Sequence, residues 1–325
     1  MPTVIAQNPS LFDAKSETDQ VAVPEFPWMT VTRLDFGESF SFNDINKPLV
    51  DWVMEQVIAT TKSYGLVTNS FYELEPVYAD YWNANSAPKS WSVGPFCLTE
   101  EIVEQNGFLS TEEKVKPWWM VWLDEKLRVG SWVLYVAFGS QAEISVEQME
   151  EIKIGLERSD ANFLWVVRGK KGGFGDGFEE RVKGRGVVVG EWVNQREILE
   201  HESVKGFVSH CGWNSVLESV CGGVPMVAWP LMAEQPLNAK FVVEEVGIGV
   251  RVETCNGRLD GFVGWEVLEK RVREVMEGEK GKEMRRKVEE LREAAVAAVE
   301  EGGSSWRSMN EMIEELQGKQ VNQLA

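Results

Sequence analysis

The chain has 325 residues, a length that points to about two domains, each able to bury its own core. At 43% hydrophobic and 26% charged residues, wholesale disorder is excluded, and a formal charge of −19 removes nucleic acid from the partners, because such binding draws on cationic neutralisation of phosphates. No stretch reaches the eighteen or so apolar residues of a membrane span, and the start M-P-T-V-I-A-Q-N-P-S lacks the charged head and apolar run of a secretory leader, so a cytoplasmic location is expected.

In chain order, residues 1–45 are punctuated by Pro, Asp and Ser and suggest no clear element. A helix is expected over Pro48–Ser63, with Leu49, Trp52, Val53, Val57 and Ile58 at apolar positions. Strands Gly65–Asn69 and Trp91–Gly94 then flank a helix near Tyr72–Trp82, a right-handed βαβ unit of a parallel sheet. Two strands bury too little to stand as a domain. Residues 99–115 read as an interdomain linker.

From Lys116 the alternation is regular. A helix around Pro117–Leu127 leads into strand Val133–Phe138. Helix Ser145–Ser159, with Met149, Ile152 and Leu156 facing the core, leads into strand Asn162–Val167. The loop K-K-G-G-F-G-D-G at 170–177 lacks the G-x-G-x-x-G spacing, and no helix is expected directly behind it, so it reads as a mobile loop. Strands Gly186–Val189, Val204–His210 and Val224–Trp229 follow, and the alternation continues to about Val252, which predicts a doubly wound, mostly parallel α/β sheet. The tail predicts helices Val263–Glu277 and Lys280–Glu300, with a solvated charged face and an apolar seam including Leu291, Ala294, Val296 and Val299. Gly302–Gly303 punctuates the chain before a last helix, Ser305–Leu316.

Cys97, Cys211, Cys221 and Cys255 have no metal-ligand or redox spacing, and Cys211 and Cys221 read as small, buried, reduced thiols. With two histidines in the chain, a His-rich zinc site is excluded.

The chemistry is concentrated between Trp192 and Gln235: W-V-N-Q-x-x-I-L-x-H, then F-V-S-H-C-G-W-N-S-x-x-E, G-V-P, W-P and E-Q. Strand Val204–His210, a turn at Cys211–Asn214 and a helix opening at Ser215 present unpaired N–H groups and the positive end of a helix dipole, a place for a diphosphate. Gly212 lets the backbone approach a ligand, and His210, Asn214 and Ser215 can donate to phosphate oxygens. Glu218, one turn further on, can accept from vicinal ribose hydroxyls. For Ser215 and Glu218 taken alone, a capping box is the commoner explanation. Trp192 and Gln195 follow a second strand and Glu234 with Gln235 a third, so three strand ends converge on one crevice, where Trp192 can stack on a uracil face, Gln195 can pair with its amide edge, and Glu234 with Gln235 can hold sugar hydroxyls.

This block, with V-L-Y-V-A-F-G-S at Val133–Ser140, N-F-L-W-V at Asn162–Val166 and E-Q-P-L-N-A-K-F-V-V-E-E from Glu234, is similar to plant family 1 UDP-glycosyltransferases, and the likeness runs over essentially the whole chain. The resemblance implies a two-domain GT-B fold: residues 1–98 as part of an N-terminal, acceptor-binding Rossmann-like domain, 116–303 as a complete C-terminal domain binding the UDP-sugar, and 304–325 as a helix crossing back to the N-terminal domain. It implies a donor site of Ser140, Trp192, Val193, Asn194, Gln195, His210, Cys211, Gly212, Trp213, Asn214, Ser215, Glu218, Glu234 and Gln235. Trp213 and Gln235 resemble the pattern of members that use UDP-glucose. Asn194 stands where the family usually has Pro; Val193 and Asn194 are expected to meet the uracil through backbone, where Asn is tolerated.

The implied reaction is inverting transfer of glucose to a hydroxyl of a small plant metabolite, with UDP-glucose as donor substrate, no other cofactor and no metal. Family members take the acceptor proton with a His near the start of the N-terminal domain, oriented by a later Asp. This chain is expected to start late in that domain, short of it by roughly 150 residues of a typical domain. His201 is expected to pack or to bond backbone, and His210 belongs to the diphosphate turn, so no catalytic residue is named. Three readings stay open: a working glucosyltransferase, a UDP-sugar-binding remnant without turnover, and an incomplete gene model. Exposed apolar surface on the front and last helix would favour self-association.

Overall fold

In the computed structural model the described residues are 16, 18–36, 47–99, 116–141, 143–169 and 173–323, so the expected linker at 99–115 lies almost wholly outside them. The front segment holds a hairpin that the sequence reading did not anticipate. Strands β1 (Val21–Val23) and β2 (Phe26–Val31) pair antiparallel, with a register irregularity between Ala22 and Val23. Pro24 and Pro27 hid it, because proline argues against a central strand. In a two-stranded ribbon both strands are edges, where a missing N–H is tolerated. Val23, Phe26, Met29 and Val31 are buried against Tyr78, Tyr81 and Leu237.

Helix α1 (Lys47–Lys62) leads to β3 (Gly65–Thr68), and helix α2 (Pro76–Asn85) to β4 (Lys89–Ser92), which pairs parallel with β3. The helix expected from Tyr72 begins instead at Pro76, since a proline suits the first helical position; Tyr72–Leu74 forms a separate 3-10 turn.

The remaining strands form one sheet. In chain order come α3 (Trp118–Arg128), β5 (Val133–Ala137), α4 (Val146–Arg158), β6 (Asn162–Val166), α5 (Phe178–Arg181) and β7 (Gly186–Val189). Then come α6 (Gln195–Leu199), β8 (Val204–Ser209), α7 (Trp213–Cys221), β9 (Met226–Ala228), α8 (Gln235–Lys240) with a π-helical extension over Phe241–Val246, and β10 (Gly249–Arg251). Helices α9 (Trp265–Met276), α10 (Glu279–Val299) and α11 (Ser304–Gln323) close the chain. The spatial order is β7-β6-β5-β8-β9-β10, with every pairing parallel. The chain therefore enters at the centre, winds out to one edge, and returns beside β5 to wind out to the other. This is the doubly wound Rossmann-like arrangement, with its switch point between β5 and β8.

Both sheet faces are covered, and the period of two decides which residue goes where. Val133, Tyr135 and Ala137 of β5 join the core beneath α3, α6, α7 and α10, whereas Leu134 and Val136 join the core beneath α4 and α9. Phe71 and Leu74 belong to the first of these cores, so residues before β4 pack directly on the six-stranded body. The last helix packs on β4: Ser305 Oγ donates to the Gly94 carbonyl at 2.5 Å, and Lys89 pairs with Glu311 and Glu315.

Three expectations are corrected. The glycine-rich loop does have a short helix directly behind it, α5 with Gly177 at its N-cap, and its described part is anchored. Lys153 pairs with Asp176, Glu179 accepts from the Phe174 N–H at 2.6 Å, and the Phe174 ring lies 5.1 Å from that of Trp165. The seam of α10 runs through Met284, Val288, Ala295 and Ala298, with Leu291 and Ala294 packed beside it as expected, but Val296 is 40% exposed, because the helix rotates its apolar stripe away from that position. Helix α7 opens at Trp213, two residues before the expected start. Among the described residues no helix is long and apolar enough to cross a membrane.

Candidate functional site

The loops leaving the C-terminal ends of β5, β7, β8 and β9 carry the residues singled out by the sequence. After β8 the chain turns sharply at Cys211, a non-glycine residue with φ of 62°. The turn is held from three sides. The Cys211 N–H donates to Ser209 Oγ at 3.1 Å, its carbonyl accepts from Asn238 Nδ2 at 2.9 Å, and its side chain is fully buried. Burial pushes the Cys211 thiol up to about 12, so it is a packing group. Gly212 then serves as N-cap of α7 with no capping side chain, which leaves the first-turn N–H groups without the usual partner.

His210 lies between two glycines. A Cβ built on Gly139 would fall 2.8 Å from His210 Nε2, and one built on Gly212 would fall 2.6 Å from it. Gly139, with φ of 76°, lies at the start of the loop after β5 and is followed by the exposed Ser140. Thus the two strands at the switch point deliver Gly139–Ser140 and His210–Gly212 to one place. His210 Nδ1 is buried and, among the described residues, has no hydrogen-bond partner. Burial holds the imidazole below its ordinary value, opposed in part by the Glu234 carboxylate, so near neutrality the ring is uncharged and has one N–H to give.

At the end of β7, Trp192 is 74% exposed, Val193 is buried, and Asn194 is N-cap of α6, its Nδ2 donating to Glu197 Oε1 at 3.0 Å. Gln195 bridges α6 to α7. Its Nε2 donates to Ser215 Oγ at 2.8 Å and to Glu218 Oε2 at 2.6 Å, and its Oε1 accepts from the Tyr135 hydroxyl at 3.3 Å. The capping-box reading of Ser215 and Glu218 is corrected by this geometry: the N-cap is Gly212, and both side chains are engaged by Gln195. The amide of Gln195, expected to meet a base edge, is engaged within the protein.

Glu234 is exposed, whereas Gln235 is buried and its Oε1 accepts from the Leu231 and Met232 N–H groups at 2.9 and 3.0 Å, which shapes the loop after β9. Trp213 points its Nε1 to the Asn69 carbonyl at 2.8 Å, and Asn69 Nδ2 donates to Asn214 Oδ1 at 3.3 Å. Asn69 also accepts from the Phe96 N–H at 2.9 Å, so one asparagine at the end of β3 links the front segment to the first turn of α7. The sequence reading missed Asn69, Tyr135, Gly139 and Asn238. Only a position at a strand end or inside a strand could have marked the first three, and only a place in helix α8 the fourth, signals shared by many residues without a role.

His201 is on the far side. It precedes β8, whose six residues span roughly 20 Å, while the crevice lies past the strand's C-terminal end. There His201 Nδ1 meets Ser203 Oγ at 2.8 Å and Nε2 meets Asp124 Oδ1 at 3.2 Å.

Comparison with known proteins fits this geometry. Residues 128–291 match the family model described as UDP-glucoronosyl and UDP-glucosyl transferase. The chain is 50% identical over 314 residues to UDP-glycosyltransferase 90A2 of Arabidopsis thaliana, covering 96% of this chain and 65% of that protein. Among solved structures it resembles Glycyrrhiza uralensis UGT73P12 complexed with glycyrrhetinic acid 3-O-monoglucuronide, with TM-score 0.83 and 33% identity over 99% of this chain and 67% of that one. It also resembles Phytolacca americana UGT2 complexed with UDP-2fluoro-glucose and pterostilbene, with TM-score 0.79 and 29% identity over 96% and 68% of the two chains. The chain spans just under two thirds of the length of the curated relatives it matches.

Proposed function

The chain belongs to the UDP-glucosyl and UDP-glucuronosyl transferase family, with a GT-B relationship to the plant enzymes, and from that membership we propose that it forms the donor-binding part of an inverting UDP-glycosyltransferase using UDP-glucose and a hydroxyl of a small plant metabolite. The observation that carries the reading is the meeting of Gly139–Ser140, His210 and the uncapped start of α7 at the β5–β8 switch point. In this reading the diphosphate lies over the first turn of α7, with His210, Asn214 and Ser215 donating to it. Glu218 accepts from the ribose hydroxyls, and Gln195 acts by holding Glu218 and Ser215 in place. Trp192 stacks on uracil, Val193 and Asn194 border it through backbone, and Glu234 with Gln235 meets the sugar. The buried neutral imidazole of His210 donates one N–H without adding a charge.

The reading includes no resident metal, a cytoplasmic location, and self-association through exposed apolar side chains such as Val67 and Val77 in the front segment and Ile313 and Leu316 on α11, which light scattering of the purified chain would detect. Calorimetric titration with UDP and with UDP-glucose tests the donor site. Binding that the His210→Ala chain loses supports it, and a folded chain that binds neither ligand overturns it.

A second reading, capture of the UDP-sugar without turnover, is favoured by the two histidines. Transfer needs a group to take the acceptor's proton. His201 is tied to Asp124 and Ser203 at the opposite, N-terminal end of β8, and His210 is enclosed at the phosphate turn. A chain that binds UDP-glucose yet forms no glucoside from a panel of phenolic and alcoholic acceptors would decide for this reading.

A further inference from the structure

Two cysteines far apart in sequence meet where the front segment touches the donor helix. Cys97 Sγ lies 3.4 Å from Cys221 Sγ, although the two residues are 124 positions apart in the chain. Cys97 is half-buried in the 3-10 turn Phe96–Leu98, and Cys221 is buried at the last residue of α7, the helix that carries Ser215 and Glu218. Both chain segments are fixed locally. The Phe96 N–H donates to Asn69 Oδ1, Thr99 Oγ1 donates to the Phe96 carbonyl at 2.8 Å, and α7 is packed against the main core through Val216, Leu217 and Val220.

We propose that Cys97 and Cys221 are a redox modification site, closing to a disulfide in exchange with glutathione disulfide and thereby clamping the front segment to α7. The contact needs less than two ångströms of approach to reach bonding distance, and the two thiols face each other across elements that already touch. Accessibility orders the steps. The Cys97 thiol, the more exposed of the two, gives up its proton and attacks one sulfur of glutathione disulfide, releasing one glutathione thiolate that takes up that proton. The Cys221 thiol then loses its proton as its sulfur attacks Cys97 in the mixed disulfide; the second glutathione leaves as thiolate and is protonated. Two cysteine thiols are oxidised, and one glutathione disulfide is reduced to two glutathiones. Cys221 is held well above the ordinary thiol range by the bond from Cys97 and by burial, so direct attack by outside reagents on Cys221 is disfavoured and the route through Cys97 is selected. In a reducing compartment the pair rests as dithiol and responds to a rise in glutathione disulfide.

The closed bond would span a loop of more than a hundred residues, which strongly restricts the unfolded chain. The test is to incubate the purified chain with glutathione disulfide, alkylate the remaining thiols, and read the intact mass, the peptide map and the melting temperature. The expected product takes up two alkyl groups where the dithiothreitol-treated chain takes up four, is lighter by two hydrogens apart from those groups, yields a Cys97–Cys221 cross-linked peptide, and melts on the order of 5 °C above the dithiothreitol-treated chain. Cys221→Ser, or Cys221→Ala should the first variant fold poorly, should stop at a glutathione adduct on Cys97 with no gain in melting temperature. A stable glutathione adduct on Cys97 of the unaltered chain, with Cys221 still open to alkylation after unfolding, would overturn the proposal. So would a cross-link that uses the exposed Cys255, or a chain that glutathione disulfide leaves with four free thiols.

Discussion

The imidazole of His210 occupies the space that a side chain at Gly139 would need, with Nε2 only 2.8 Å from the position of the missing Cβ. Gly139 also holds a φ of 76°, which an L side chain rarely adopts. Gly139→Ala should therefore push the ring out of its slot and strain the β5 loop, costing about 1–3 kcal/mol of stability. UDP affinity should fall at least about tenfold, close to 1.4 kcal/mol. Denaturant melts paired with calorimetry read both effects, and wild-type UDP affinity in the variant would show that the placement of His210 does not matter for the nucleotide.

The same burial makes a pH prediction with a definite sign. The folded value of His210 lies below the ordinary 6.5, so the unfolded chain binds the proton first as the pH falls. The contribution of the neutral ring is intact above the ordinary value and is lost as the pH drops through the folded one. His210→Asn removes the titration. Between about pH 7 and pH 5 the variant should lose less thermal stability than the wild-type chain. Parallel slopes in a fluorimetric pH series would refute the assignment.

Gln195 holds Glu218 and Ser215 at 2.6 and 2.8 Å, and one of these bonds is to a carboxylate. Gln195→Ala should destabilise the chain by about 1.5–3 kcal/mol and free Glu218 to move. Uridine loses nothing at its base in this view, while the ribose does. The expected consequence is a loss of affinity for UDP of roughly tenfold, about 1.4 kcal/mol, with a much smaller loss for pyrophosphate alone. Equal losses for the two ligands would argue against a ribose role for Glu218.

Gln235 accepts two backbone N–H groups from Leu231 and Met232, so it shapes the loop in addition to the sugar contact proposed for it. Gln235→His should change the preference between UDP-glucose and UDP-galactose measured by competitive binding. Gln235→Ala should cost about 1–3 kcal/mol by leaving two donors unpaired. If the His variant keeps the original preference while remaining folded, the residue is a loop anchor and not a selector.

The hairpin offers a local test. Phe26 is 5% exposed and meets Tyr78 and Tyr81 edge-on at ring distances of 4.8 and 5.0 Å. Phe26→Ala should weaken the docking of β1 and β2 by about 3–5 kcal/mol, enough to open that segment while the six-stranded body stays folded. Limited proteolysis should then cut within residues 18–36 first, and unchanged cleavage there would contradict the packing.

The doubly wound body was legible in the sequence because each buried strand from Val133 to Val227 announces itself as a short apolar run, and each amphipathic helix by its period. The strand, turn and helix start that place His210, Gly212, Asn214 and Ser215 were legible for a related reason: they are adjacent in sequence, so their geometry is local. The hairpin at 21–31 was not, since Pro24 falls in its turn and Pro27 is tolerated only because its strand is an edge, and whether a strand is an edge is not written in the strand itself.

What the sequence by itself determined is the strands and the longer helices of the six-stranded body, the parallel α/β class and the turn that follows β8, all consequences of local period and local backbone preference. Tertiary structure alone decided that β5 lies beside β8, which brings Gly139 to His210; that Gln195 reaches across to Glu218; and that Cys97 finds Cys221 across 124 positions. These are contacts between segments that share no local pattern. Their pairing follows from the winding of the sheet and the burial of both its faces, which no window of sequence contains.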